Sequence, residues 1–289
     1  MSFTVFTDGC SNLPGAVLNT REIHVLPCSY TVGGVPYTYS GDIEAFDDRT
    51  YYDMLRSGRE VRTSLLNTQL FLDHFRPVLE QGQDVLYVGM SSGISGTIQS
   101  ARIAAAELEE SFPGRTVYVV DSLGAGFGPG LLSIRASELR DAGKSAAEAG
   151  AILDSERMRL CEYFTVDDLN FLKRTGRVSG ATAMIGTVLN IKPLLYGDND
   201  GHIVACAKYR GRKKAVDAMV EKYASKAVAP ETQCVAISNA ACPEEAQQLA
   251  DRIRAIAKPR ELIICPHEPV TGSHVGPGML ALFFMGDSR

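Results

Sequence analysis

Val85-Leu86-Tyr87-Val88-Gly89-Met90 is an unbroken apolar run that stops at Ser91-Ser92-Gly93-Ile94-Ser95-Gly96-Thr97, after which Ile98-Gln99-Ser100-Ala101-Arg102-Ile103-Ala104 takes up helical spacing. A short β-rich run bounded by small polar residues reads as a strand buried on both faces, followed here by its helix. The order recurs. Phe3-Thr4-Val5-Phe6-Thr7 leads into Asp8-Gly9-Cys10-Ser11-Asn12, where Asn12 or Ser11 is placed to cap a helix entered at Leu13-Pro14. Val117-Tyr118-Val119-Val120 leads into Asp121-Ser122. Strands alternating with helices predict a parallel sheet covered on both faces, so the first half reads as an α/β layer fold.

The pattern changes after a helical stretch from 144 to about 159, which divides the chain into an N-terminal α/β domain (1–160) and a C-terminal mixed α/β domain (161–289). Ile191-Lys192-Pro193-Leu194-Leu195-Tyr196 and His202-Ile203-Val204-Ala205-Cys206 flank Gly197-Asp198-Asn199-Asp200-Gly201, whose Asp-Gly suits a hairpin turn. A strand at 234–238, a helix opened by Pro243 and running to about 256, a strand at 262–265 and a terminal strand at 279–284 complete the second lobe. No internal repeat or low-complexity segment interrupts this order.

At 289 residues the length suits two lobes, and 45% hydrophobic with 22% charged residues describes a chain that buries a substantial core. A net charge of −5, with basic residues concentrated only at 208–214, argues against nucleic acid as a partner. The first residues enter a strand pattern without a basic n-region, and no apolar run approaches the roughly 20 residues of a membrane span. The expected location is therefore the cytoplasm, without stable membrane insertion. Seven dispersed cysteines with no Cys-x-x-Cys read as reduced structural thiols, and no metal site is expected.

The loop at 91–97 is the most informative local feature. It follows the carboxyl end of a strand, its glycines admit a ligand to the backbone, and it delivers Ser95, Gly96 and Thr97 to a helix amino terminus suited to an anion. An N-cap role for Ser95 or Thr97 stands beside that reading. Enzymatic motifs fail residue by residue: a P-loop ending at Gly143-Lys144-Ser145 needs glycine where Glu138 stands, and a nucleophile elbow at Ser95 needs glycine where Thr97 stands. The run Gly124-Ala125-Gly126-Phe127-Gly128-Pro129-Gly130 lacks dinucleotide spacing and reads as a tight turn into a helix at Leu131. Among five histidines, His274 stands in Gly272-Ser273-His274-Val275-Gly276-Pro277-Gly278, a loop where it serves as an anion donor, a general base or a structural residue.

Taken together these segments resemble the DegV family, in order and across nearly the whole chain. The resemblance runs through 7–14, Thr63-Ser64, 91–97, Val120-Asp121-Ser122, 171–179, Leu189-Asn190-Ile191-Lys192-Pro193, 210–215 and 272–278. It departs where Leu65-Leu66-Asn67 replace the usual Gln-Pro-Ser, and at Gly9, Thr175 and Ser273.

The resemblance implies a two-lobed carrier with no catalytic activity of its own and no cofactor. A long-chain fatty acid would lie in an apolar tunnel at the lobe interface, its carboxylate offered to a separate fatty acid kinase for phosphorylation. On matching positions Thr63 and Ser95 would donate to that carboxylate, Arg177 and His274 would complete the polar end, and Arg210 would belong to the kinase-docking surface. The stretch 181–189 is apolar enough to line the tunnel or to pack as an ordinary helix. Two alternatives remain: a hydrolase or transferase using Ser95 with His274, and a carrier of another amphipathic ligand.

Overall fold

A computed structural model describes residues 3–178 and 190–289. The chain begins β1 (Phe3–Asp8), α1 (Gly15–Thr20), β2 (Ile23–Leu26), β3 (Cys28–Val32), β4 (Val35–Tyr39), α2 (Asp48–Arg56) and β5 (Val61–Thr63). It continues α3 (Thr68–Glu80), β6 (Asp84–Gly89), α4 (Thr97–Ser111), β7 (Val117–Asp121), α5 (Phe127–Asp141) and α6 (Ala146–Glu156). Then come β8 (Leu160–Thr165), α7 (Asn170–Thr175), β9 (Ile191–Gly197), β10 (Ile203–Arg210) and α8 (Arg212–Lys226). The last elements are β11 (Cys234–Asn239), α9 (Pro243–Ile256), β12 (Glu261–Pro266), α10 (Pro269–Val275) and β13 (Leu280–Met285).

The expected parallel sheet is present, ordered β2-β1-β6-β7. All six residues of β6 are buried, which requires cover on both faces, and two helix pairs, α3 with α4 and α5 with α6, supply it. A six-stranded mixed sheet follows, ordered β10-β9-β8-β13-β11-β12; among its described strands β11 and β12 pair in parallel and the other neighbours antiparallel. The hairpin read around Asp198 to Gly201 joins β9 to β10 antiparallel, as its turn chemistry demands. One apolar core runs continuously beneath both sheets, and a second lies between the six-stranded sheet and α8 with α9.

Helix α5 ties the halves together. It touches β1 and β6 on one side and β8, β11 and β13 on the other, with 11 of its 15 residues buried. It starts at Phe127, four residues before the expected Leu131, because the glycines of its first turn are helical residues chosen for close approach. A Cβ on Gly128 would collide with the Glu162 carboxylate on β8.

Three further readings are corrected. Asn12 caps no helix: it closes the 3₁₀ turn Gly9–Ser11 in the left-handed region (φ 56°), and α1 begins behind Pro14 without a side-chain cap. The segment read as a loop around His274 is the helix α10, started by Pro269 and by Glu268, whose carboxylate accepts the amides of Val270 and Thr271. A three-stranded antiparallel sheet, β4-β3-β5, was not anticipated. Its signal was Gly33-Gly34 between two valines, both glycines having positive φ (57° and 85°), the requirement of a tight hairpin. Among the described residues no helix is long and apolar enough to cross a membrane.

Candidate functional site

A cavity of about 280 Å³ lies where the carboxyl ends of β1, β6 and β7 face the six-stranded sheet. Ligands collect at that end of parallel sheets because loops diverge there and helix amino termini point inward. Asp8, Met90 and Leu123 come from the strand ends, and Glu162, Phe164 and Phe283 from β8 and β13. Leu66, Leu172 and Val275 add apolar wall.

Thr63, Ser95, Arg177 and His274 all line this cavity. Thr63 sits on the edge strand β5, fixed by its pairing with Tyr30, and its Oγ1 lies 3.2 Å from His274 Nε2. Burial, with the Arg177 charge beside it, pushes the His274 imidazole down to about 4, so it is neutral at pH 7. Its Nδ1 is buried without a hydrogen-bond partner among the described residues. Arg177 is exposed and donates to the Thr175 carbonyl.

Ser95 Oγ accepts the Thr97 amide (3.3 Å) and donates to Thr97 Oγ1 (3.0 Å), which in turn accepts the Leu66 amide (3.3 Å). The N-cap of α4 is Gly96, without a side-chain cap, so Ser95 braces the loop instead of capping in the ordinary way. Ser95 and His274 share the cavity but each hydrogen-bonds elsewhere, so the nucleophile–base pair of the hydrolase alternative is not formed. Arg210 ends β10, exposed and away from the cavity lining; no ion pair holds it among the described residues.

A second polar group on the wall was missed by sequence reasoning. His267 is fully buried: its Nδ1 lies 2.9 Å from Ser238 Oγ and 3.1 Å from Asn12 Nδ2, and its Nε2 lies 2.8 Å from Thr271 Oγ1. Asn12 Nδ2 can only donate, which makes Nδ1 the acceptor and Nε2–H the donor to Thr271, whose hydroxyl donates to Glu268. Burial pushes His267 down to about 3 and Glu268 up to about 7. Glu162 is likewise raised to about 7 by burial, against the Arg289 guanidinium (3.4 Å) and the Ala125 amide (3.0 Å). Spacing gives little sign of these roles, because Thr271 is the local partner while Asn12, Ser238, Ala125 and Arg289 come from segments more than 25 residues away.

Asp8, Cys10 and Cys28 form a third group, with donor atoms within 4.8 Å of one another. The Asp8 oxygens already accept from the Cys10 amide (2.9 Å), the Tyr87 hydroxyl (2.7 Å) and the Met90 amide (3.3 Å). All seven cysteines are free. The exposed turn group Asp198, Asp200 and His202 also brings possible metal donors together, with Asp198 Oδ1 accepting the Asp200 and His202 amides. The stretch 181–189, read as tunnel lining, lies outside the described residues.

The sequence profile of the DegV family, described as one of uncharacterised proteins, matches residues 2–287. The chain belongs to the DegV family. A DegV domain-containing protein of Clostridium perfringens is 36% identical over 99% of this chain and 98% of its own length. Among solved structures, a fatty acid-binding DegV family protein from Thermus thermophilus is 31% identical with a TM-score of 0.87, covering 99% of this chain and 100% of that one. DegV from Bacillus subtilis, a fatty acid-binding protein, is 28% identical with a TM-score of 0.84 over 99% and 100% of the two chains. The two-lobed DegV architecture accounts for the parallel sheet, the mixed sheet and the cavity between them.

Proposed function

We propose that this DegV protein is a cytoplasmic carrier that holds one long-chain fatty acid and presents its carboxylate to a separate kinase for conversion to acyl phosphate. The observation that carries the reading is the apolar-walled cavity with Thr63, Ser95, Arg177 and His274 brought together on it. The fatty acid-binding relatives from Thermus thermophilus and Bacillus subtilis support it. The division into 1–160 and 161–289 belongs to the same proposal, with the ligand between the two parts.

The energetics suit a tail-dominated binder. Each buried methylene contributes roughly 0.8 kcal/mol, so about fifteen contribute on the order of 10 kcal/mol before ordering costs. The head group then needs orientation more than affinity. A neutral His274 whose Nε2–H donates to Thr63 leaves the Thr63 proton free for a carboxylate, while Arg177 supplies the cation that offsets its desolvation. Arg177 and His274 also stand where charge grows as the carboxylate becomes an acyl phosphate. No catalytic residue and no cofactor of the carrier's own are required.

Organic extraction and mass spectrometry of the purified protein test the reading, with about one fatty acid per chain expected. Absence of lipid together with no thermal stabilisation by added fatty acids of several lengths would overturn it.

A further inference from the structure

Cys10 and Cys28 come from different elements, the 3₁₀ turn after β1 and the strand β3, and their sulfurs meet at 3.9 Å. That is van der Waals contact, with room for nothing between them. Both residues are 1% exposed, yet both line the cavity. Solvent therefore reaches the pair poorly, whereas anything seated in the cavity lies against it.

We propose that Cys10 and Cys28 are a dithiol pair that, by closing to a disulfide, reduces a hydroperoxide carried on the acyl chain of the cavity's ligand. The proposal rests on the fatty acid reading above. One sulfur attacks the outer oxygen of the O–O bond; an S–O bond forms, the O–O bond breaks, and the departing alkoxide takes a proton to become the hydroxy fatty acid. The second sulfur displaces hydroxide from the resulting sulfenic acid, forming the S–S bond and releasing water. Two thiols and one hydroperoxide thus give one disulfide, one alcohol and one water, with two electrons passing from sulfur to the peroxide.

The surroundings fit slow, ligand-gated chemistry. The contact with Cys28, and burial after it, raise the Cys10 thiol, and at Cys28 the contact with Cys10 lowers it but burial and nearby carboxylates leave it raised, so the pair resists general oxidants. A bound hydroperoxide offsets that sluggishness by proximity. Asp8, within 4.8 Å of both sulfurs, is a nearby acceptor for the thiol proton. Closure requires the sulfurs to approach to about 2.05 Å, a rotation about each Cα–Cβ bond.

The test uses a Cys206→Ser background, which removes the exposed thiol. Linoleic acid hydroperoxide (mixed 9- and 13-isomers), linoleic acid and hydrogen peroxide are added separately; binding, thiol count, peptide mapping and hydroxy acid yield are measured. The expected result is loss of two thiols, a Cys10–Cys28 bridge and one hydroxy acid per chain with the lipid hydroperoxide. Hydrogen peroxide at equal concentration should act at least about tenfold more slowly. Cys10→Ser and Cys28→Ser should form no bridge with any of the three. Linoleic acid binding without bridge formation by its hydroperoxide overturns the proposal and leaves the carrier reading intact. Equal rates with hydrogen peroxide overturn delivery through the cavity, and failure of both lipids to bind overturns this proposal, the carrier reading falling with it only when fatty acids of several lengths also fail to stabilise the protein.

Discussion

The two ends of α10 carry one histidine each, seven positions apart, and they have opposite fates. His267, just before the helix, has both ring nitrogens engaged, by Asn12 and Ser238 on one side and Thr271 on the other. His274, in the last turn, has one nitrogen against Thr63 and the other buried without a partner among the described residues. Both are driven neutral by burial, so charge does not separate them. What separates them is completeness: a closed network holds segments together, whereas the open one leaves the Thr63 hydroxyl proton free for a ligand.

The comparison breaks first if the closed network is not structural. His267→Ala should destabilise the protein by about 3 kcal/mol or more, because it opens a hole and strands Asn12, Ser238 and Thr271 at once. Urea unfolding measures this, and a loss below about 1 kcal/mol would show that the network can be dispensed with.

A pH experiment sharpens it. The folded protein holds the Glu268 proton up to about 7, above its usual 4.5, so between those values the native state binds more protons than the unfolded one. Stability from this residue is therefore full below about pH 4.5 and falls as pH rises to about 7, by on the order of 3 kcal/mol. The buried histidines act in the opposite sense, binding fewer protons when folded between about 4 and 6.5. Glu268→Gln should thus make stability climb more steeply from pH 5 to 7 than it does in the unaltered protein. An unchanged slope would mean that Glu268 is ionised throughout.

At the open end the effect should fall on the ligand. Thr63→Ala should weaken fatty acid binding by about 1.5–3 kcal/mol, the range for a hydrogen bond to a charged group, and His274→Ala, which orients the Thr63 hydroxyl, should weaken it by less. Because the two side chains touch, the double variant should lose less than the sum. Full additivity in a calorimetric cycle would place the carboxylate elsewhere.

These contrasts explain what the sequence could and could not disclose. The parallel sheet was legible because β6 and its loop carry their whole signal in consecutive residues, and so was the β9–β10 hairpin with its Asp-Gly turn. The family's motif residues Thr63, Ser95, Arg177 and His274 were legible from the resemblance, and the fold brings them to one cavity. His267 was not legible, since its meaning depends on Asn12, 255 positions earlier. Glu162 and the Cys10–Cys28 contact were hidden for the same reason, and α10 was hidden because glycines at 272 and 276 look like a loop until Glu268 is seen to cap it.

The smallest structural effect is expected at Arg210, and its consequence should be the most selective. Its guanidinium is exposed, has no ion pair among the described residues and lies outside the cavity lining. Its neighbour Arg212 is different, held by Glu245 (2.8 Å) and Asp167 (3.6 Å). Arg210→Ala should shift stability by no more than about 0.5 kcal/mol, as surface substitutions away from networks do. On the proposed carrier reading it should purify with lipid, because the tail would supply the affinity. Yet with the partner kinase and ATP its loaded form should be phosphorylated more slowly, and the deficit should shrink at high salt, where an exposed charge no longer steers encounter. Lipid occupancy and phosphorylation rate on the same preparation decide this. If Arg210→Ala loses lipid while its loaded fraction reacts at the normal rate, Arg210 acts on the cavity and not on docking, and the separation of tunnel from surface fails.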